Sequence, residues 1–205
     1  MKGPRERIWA LGYQLGPGRM YQPAYRKLAE IVAPSQGNLL DVGCGPGWLC
    51  VHAARGRPEL DCIGIDTSPR MIEAAERNAR GLLNCSFRQM DAASIAYAEA
   101  TFDAVVGVQT MHHWTQPEAI LAELHRVTKP GAMVRLLDID PGVRVPPGWL
   151  DRPAGWPPEP LLRRNWKRWS LGDEGFRSML QLARRIQWTV QVEQVGLYRS
   201  ISCSR

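Results

Sequence analysis

Between Asn38 and Asp140, short apolar runs alternate with stretches of helical period, a pattern that predicts a βαβ array and a mainly parallel sheet. Strands are expected at residues 39–42, 62–65, 85–90, 102–108 and 132–137, and helices at 48–55, 69–80 and 116–127. Ser68 is placed to cap the second helix, with Pro69 at its first position, where a missing N–H costs nothing. Lys129-Pro130-Gly131 reads as the stop signal of the third.

After Asp140 the texture changes. Residues 141–160 hold seven prolines, too many for a helix or a sheet interior, so an extended surface segment is expected. A single helix is predicted over 161–186. Alternating residues 188–192 and 197–203, arranged about Gly196, then predict a β-hairpin.

With 205 residues, 44% hydrophobic and 22% charged, the chain suits one α/β domain. Its expected parts are an N-terminal helical cap (1–37), a core (38–140), a Pro/Trp-rich insert and helix (141–186) and a closing hairpin (187–205). No run approaches the roughly 18 apolar residues of a membrane helix, and the start lacks the apolar stretch of a signal peptide. A cytoplasmic location is expected. The five cysteines are odd in number and never spaced Cys-x-x-Cys, so neither a disulfide frame nor a metal site is indicated. The net charge of +6 is uneven: residues 38–143 carry 9 Lys+Arg against 13 Asp+Glu, whereas the two flanks together carry 17 against 7. Basic flanks favour an anionic substrate or RNA, or are simply a solvated surface.

The most informative motif is Leu39-Leu40-Asp41-Val42-Gly43-Cys44-Gly45-Pro46-Gly47, between a predicted strand and a predicted helix. Glycines at 43, 45 and 47 permit a tight turn and a ligand lying against bare backbone. A dinucleotide fingerprint would place its third glycine at position 48, which is Trp, so a nicotinamide cofactor is disfavoured.

This segment resembles the first motif of class I S-adenosylmethionine-dependent methyltransferases, in particular the small-molecule, ubiquinone/menaquinone-type group. The similarity runs in order through most of 38–140. It implies a Rossmann-like, doubly wound α/β fold with a mainly parallel seven-stranded sheet and a C-terminal antiparallel hairpin. It also implies S-adenosylmethionine as methyl donor, with S-adenosylhomocysteine as product and no metal. The cofactor-binding set would be Asp41, Gly43, Cys44, Gly45, Gly47, Asp66, Thr67, Met71, Asp91, Ala92 and Gln109. Asp66, about 20 residues past the glycines, would accept from both ribose hydroxyls, or else cap the next helix. By resemblance Met71 touches the adenine face, the Asp91 side chain takes the exocyclic amine and the Ala92 amide meets the ring. Asp41 and Gln109, at strand ends, would face the ammonium and the methionyl part.

Methyl transfer needs alignment and, for some acceptors, a base. His113 and His112, after the fourth strand, are the candidates because histidine titrates near neutrality; packing is the alternative for either. Tyr13, Tyr21, Trp149, Trp166 and Trp169 are candidate substrate contacts, since the family builds its cap from these regions; Trp149, Trp166 and Trp169 equally suit anchoring of the insert. A small-molecule acceptor, aromatic or anionic, is expected. An RNA methyltransferase and a non-catalytic S-adenosylmethionine-binding protein are the alternatives. The oligomeric state cannot be read from the sequence.

Overall fold

A computed structural model describes residues 20–151 and 158–204. Helix α1 (Gln22–Val32) leads into strand β1 (Gly37–Val42), followed by α2 (Trp48–Gly56), β2 (Leu60–Asp66), α3 (Pro69–Asn78) and β3 (Cys85–Gln89). Then come β4 (Phe102–Val108), a 3₁₀ turn (Met111–His113), α4 (Pro117–Val127) and β5 (Thr128–Ile139). Helices α5 (Glu159–Trp169) and α6 (Gly172–Arg185) and the hairpin β6 (Thr189–Val195) and β7 (Tyr198–Ser204) complete the described chain.

The seven strands form one sheet in the order β3-β2-β1-β4-β5-β7-β6, the first five parallel and β7 antiparallel to both neighbours. The expected doubly wound α/β sheet is therefore present. β4 is buried at every position except Asp103, as a central parallel strand covered on both faces must be. Leu39, Ala104, Val106 and Leu137 pack under α1 and α2, whereas Leu40, Val105, Val134 and Leu136 pack under α4 and α6. The direction in which successive strands are laid down reverses between the parallel neighbours β1 and β4, which opens a crevice at their carboxyl ends.

Two expectations about elements are corrected. β5 begins at Thr128 rather than Ala132, because Lys129-Pro130-Gly131 is absorbed by a register shift between the pairs Phe102–Thr128 and Ala104–Met133. The single helix over 161–186 is two, broken at Ser170-Leu171. There Gly172 takes a left-handed φ of 68° and the Leu171 N–H leaves the helical ladder to donate to Asp138 Oδ2 at 3.1 Å. Ser68 does cap α3, its hydroxyl accepting the Met71 N–H at 3.4 Å.

The described part of the proline-rich segment is pinned through Trp149. Trp149 is buried with its indole directly over Gly196, where even a Cβ would collide with it, and Lys27 Nζ lies 5.7 Å from the ring centroid. Trp149→Ala is expected to remove about 3–5 kcal/mol, as for other buried tryptophans. The check is a thermal melt, where each kcal/mol lowers Tm by about 2–4 °C at this chain length.

Candidate functional site

The glycine loop is held from below and left open above. Gly43 and Cys44 both donate backbone N–H to Ile65 O, at 2.8 and 3.0 Å, which locks the loop over β2. A Cβ on Gly43 would run into the Thr110 hydroxyl, and one on Gly47 would lie 2.5 Å from Phe87 Cζ, so both glycines are required by packing. Gly45 differs. Its φ is 52°, yet nothing in the protein lies within 4 Å of where its Cβ would be. The loop thus presents bare backbone to the crevice at the carboxyl ends of the strands.

Three carboxylates surround this crevice at the ends of β1, β2 and β3. Asp66 accepts the Gly45 N–H on Oδ2 and the Ser68 N–H on Oδ1, both at 2.9 Å, so one side chain ties the loop to the start of α3. A carboxylate has about four acceptor positions, and these two bonds leave room for two more donors. Asp41, only 2% exposed, has the Cys50 thiol as a weak partner at 3.7 Å. Burial pushes its carboxyl up to about 7; the thiol partly opposes this and the charge of Asp66 adds to it. Burial likewise raises Asp66, against the two backbone N–H groups that favour its charged form. A buried and a half-buried acid that repel one another are stabilised by a cation placed between them. Asp91 is exposed, with Oδ1 accepting the Ala93 N–H at 2.9 Å, and Ala92 beside it is half-buried.

Met71 is buried on α3, and the exposed Thr67 presents its carbonyl to Gln89 Nε2 at 3.1 Å. Cys44 is buried, and burial together with Asp41 and Asp66 raises its thiol well above the usual range, so it stays protonated. At the end of β4, Gln109 has a φ of 54°, its N–H donates to Leu137 O at 2.8 Å, and its Nε2 donates to the Tyr198 hydroxyl at 3.5 Å. A glutamine held left-handed costs of order 1–3 kcal/mol, a strain that clusters at functional sites.

The two histidines differ in surroundings. His112 places Nδ1 3.3 Å from Oδ2 of Asp138, which is 2% exposed at the end of β5 and also accepts the Leu171 and Ile139 N–H groups. His113 is exposed, with its ring centroid 4.0 Å from that of His112. Desolvation lowers the His113 pKa, as does His112, while Asp138 pulls the other way.

Of the candidate substrate contacts, Tyr21, Trp149 and Trp166 all lie buried in the core beneath α1. The Trp166 Nε1–H donates to the Tyr21 hydroxyl at 2.5 Å, joining α5 to the start of α1. Tyr13 and the side chain of Trp169 lie outside the described residues. Sequence reasoning missed Thr110, Phe87 and Asp138. Asp138 carried a signal, since it closes an apolar strand run much as Asp41 does.

A family profile described as a methyltransferase domain matches residues 39–131, which takes in the glycine loop, all three acids and both histidines. The aklanonic acid methyltransferase DauC of Streptomyces sp. (strain C5) is 31% identical over 163 residues, 70% of this chain and 73% of that protein. The chain belongs to this methyltransferase-domain family. Norajmaline N-methyltransferase of Rauvolfia serpentina is 35% identical over 131 residues, 62% of this chain. The chain spans less than half the length of that enzyme and of several other curated relatives it matches. In fold, the methyltransferase domain superposes on a SAM-dependent methyltransferase from Aquifex aeolicus with a TM-score of 0.68, at 21% identity and 98% coverage of both chains. No described helix is long and apolar enough to cross a membrane.

Proposed function

We propose that the chain transfers a methyl group from S-adenosylmethionine to a small-molecule acceptor by in-line displacement above the carboxyl ends of β1 and β4. The observation that carries this reading is the open space at Gly45, whose N–H is held by half-buried Asp66, with buried Asp41 at the end of β1 and both carboxyls raised in pKa. The donor fits that chemistry. Its ribose offers two hydroxyls to the spare acceptor positions of Asp66, and its ammonium suits Asp41. Asp91 and the Ala92 amide hold the adenine, with Met71 against its face and Thr67 beside the ribose. Gly43, Cys44, Gly45 and Gly47 offer backbone to the methionyl part, as does Gln109.

When bound, the sulfonium supplies an electrophilic methyl group, so the protein has only to align the acceptor and take up its proton. The dyad His112–Asp138 is built for the second task. With Nδ1–H held by the Asp138 carboxylate, Nε2 of His112 carries the free lone pair, and the charge it gains is balanced by Asp138. His113 shares the turn and is the alternative base. The acceptor would lie under the cap formed by α1, residues 141–151 and α5, whose buried Tyr21, Trp149 and Trp166 hold the cap to the sheet. Relatives named for norajmaline and aklanonic acid favour a small molecule, the second of them an acid.

Donor affinity should depend on pH through Asp41. Its carboxyl, raised to about 7, must ionise to pair with the ammonium, so binding expels a proton below that value. Affinity is expected to climb about tenfold per pH unit from 5 to 7 and then level off, and Asp41→Asn should flatten the profile; calorimetry at each pH reads it. The reaction itself is tested with methyl-labelled donor and a cell lysate. Label in the small-molecule fraction is expected, whereas label confined to RNA would overturn the choice of acceptor.

A further inference from the structure

A second cavity, of about 260 Å³, lies between the start of α1 and the outer side of α2, lined by Gln22, Pro23, Arg26, His52 and Asp151. His52 brings it an unpaired nitrogen. His52 Nε2 is buried with nothing to bond to, and so is Nε1 of Trp48, whose ring stacks on that of His52 with centroids 6.3 Å apart. No ion pair among the described residues engages Arg26. A buried polar group left unpaired costs about 1–3 kcal/mol, so such groups around a cavity call for an oxygen-rich occupant.

The charges around His52 agree. Burial lowers its pKa, Arg55 of α2 and Arg26 of α1 add to this, and Glu30 of α1 opposes it. An oxyanion seated between Arg26 and His52 would satisfy both. The cavity lies toward the edge of the sheet at which α2 begins. α2 starts at the glycine loop, and His52 lies five residues past Gly47, about 7.5 Å of helical rise. The far wall belongs to the cap, where the Asp151 N–H donates to Met20 O at 2.9 Å.

We propose that this cavity is the subsite for an acidic group, carboxylate or phosphate, on the methyl acceptor. The assignment to the acceptor rests on the methyl-transfer reading. Arg26 supplies the positive charge, His52 Nε2 and the Gln22 amide donate, and Pro23 forms an apolar wall. The volume suits one acidic group with a few attached atoms rather than a whole acceptor. Asp151, exposed at the mouth, works against a bare anion and favours ligands that carry a hydroxyl or amine beside the acid.

The test follows the imidazole signals of the full chain by NMR across pH, with inorganic phosphate and with benzoate as probes. The His52 midpoint is expected to rise with at least one probe while those of His112 and His113 hold still. Phosphate alone, or benzoate alone, would identify which acid the site takes. Arg26→Gln should abolish the shift and Asp151→Asn should strengthen probe binding several-fold, both variants keeping wild-type affinity for S-adenosylhomocysteine. A His52 midpoint unmoved by either probe, or a shift that survives Arg26→Gln, would overturn the proposal. Failure of wild-type protein to bind S-adenosylhomocysteine would instead overturn the methyl-transfer reading, since the anion shift is read without the donor.

Discussion

His112→Ala is expected to lower kcat by about 10²–10⁴-fold, the range for loss of a general base, with donor affinity unchanged. The reason is geometric. Of the two adjacent histidines, His112 has one ring nitrogen fixed by a buried carboxylate, and this fixes which nitrogen is free to accept a proton. His113→Ala, which removes an exposed ring with no such partner, should change kcat only several-fold. Asp138→Asn keeps the shape but loses the charge that balances the imidazolium, so it should lower kcat. Steady-state kinetics on both alanine variants decides the matter. Equal losses, or none, would remove His112 from the mechanism.

Gly45→Val should cut affinity for donor and product by at least about 100-fold, or roughly 3 kcal/mol, while leaving the chain folded. Because no protein atom lies near the new Cβ, the folded state bears mainly the left-handed backbone penalty, about 1–2 kcal/mol. The ligand meets the isopropyl group. Gly43→Ala gives the opposite balance, since its Cβ strikes the Thr110 hydroxyl and the loop itself must move. A melt and a titration on each variant separate the two effects. Full donor affinity in Gly45→Val would mean that the open space at Gly45 is not where the donor lies.

The parts of the site legible in the sequence are those built from neighbours along the chain. The glycine loop, Asp66 at the end of β2 and the Ser68 cap each follow from a local pattern, and the structure places them at one sheet edge. The His112–Asp138 pair was not legible, since it joins residues 26 apart through the adjacency of β4 and β5. The break between α5 and α6 was hidden for the same reason, because the contact that draws Leu171 out of line comes from Asp138 on the sheet. Trp149 and Trp166 look alike as substrate contacts or anchors until tertiary packing buries both. The cavity beside His52 is also tertiary, formed where α1, α2 and the segment after β5 meet.

Binding of S-adenosylmethionine at the carboxyl ends of β1 and β2 is tested by calorimetric titration of wild type and Asp66→Ala with S-adenosylhomocysteine. One saturable site is expected in the wild type and a loss of at least about tenfold in affinity in the variant, roughly 1.4 kcal/mol for the ribose bonds. Equal affinity in the two proteins would contradict it.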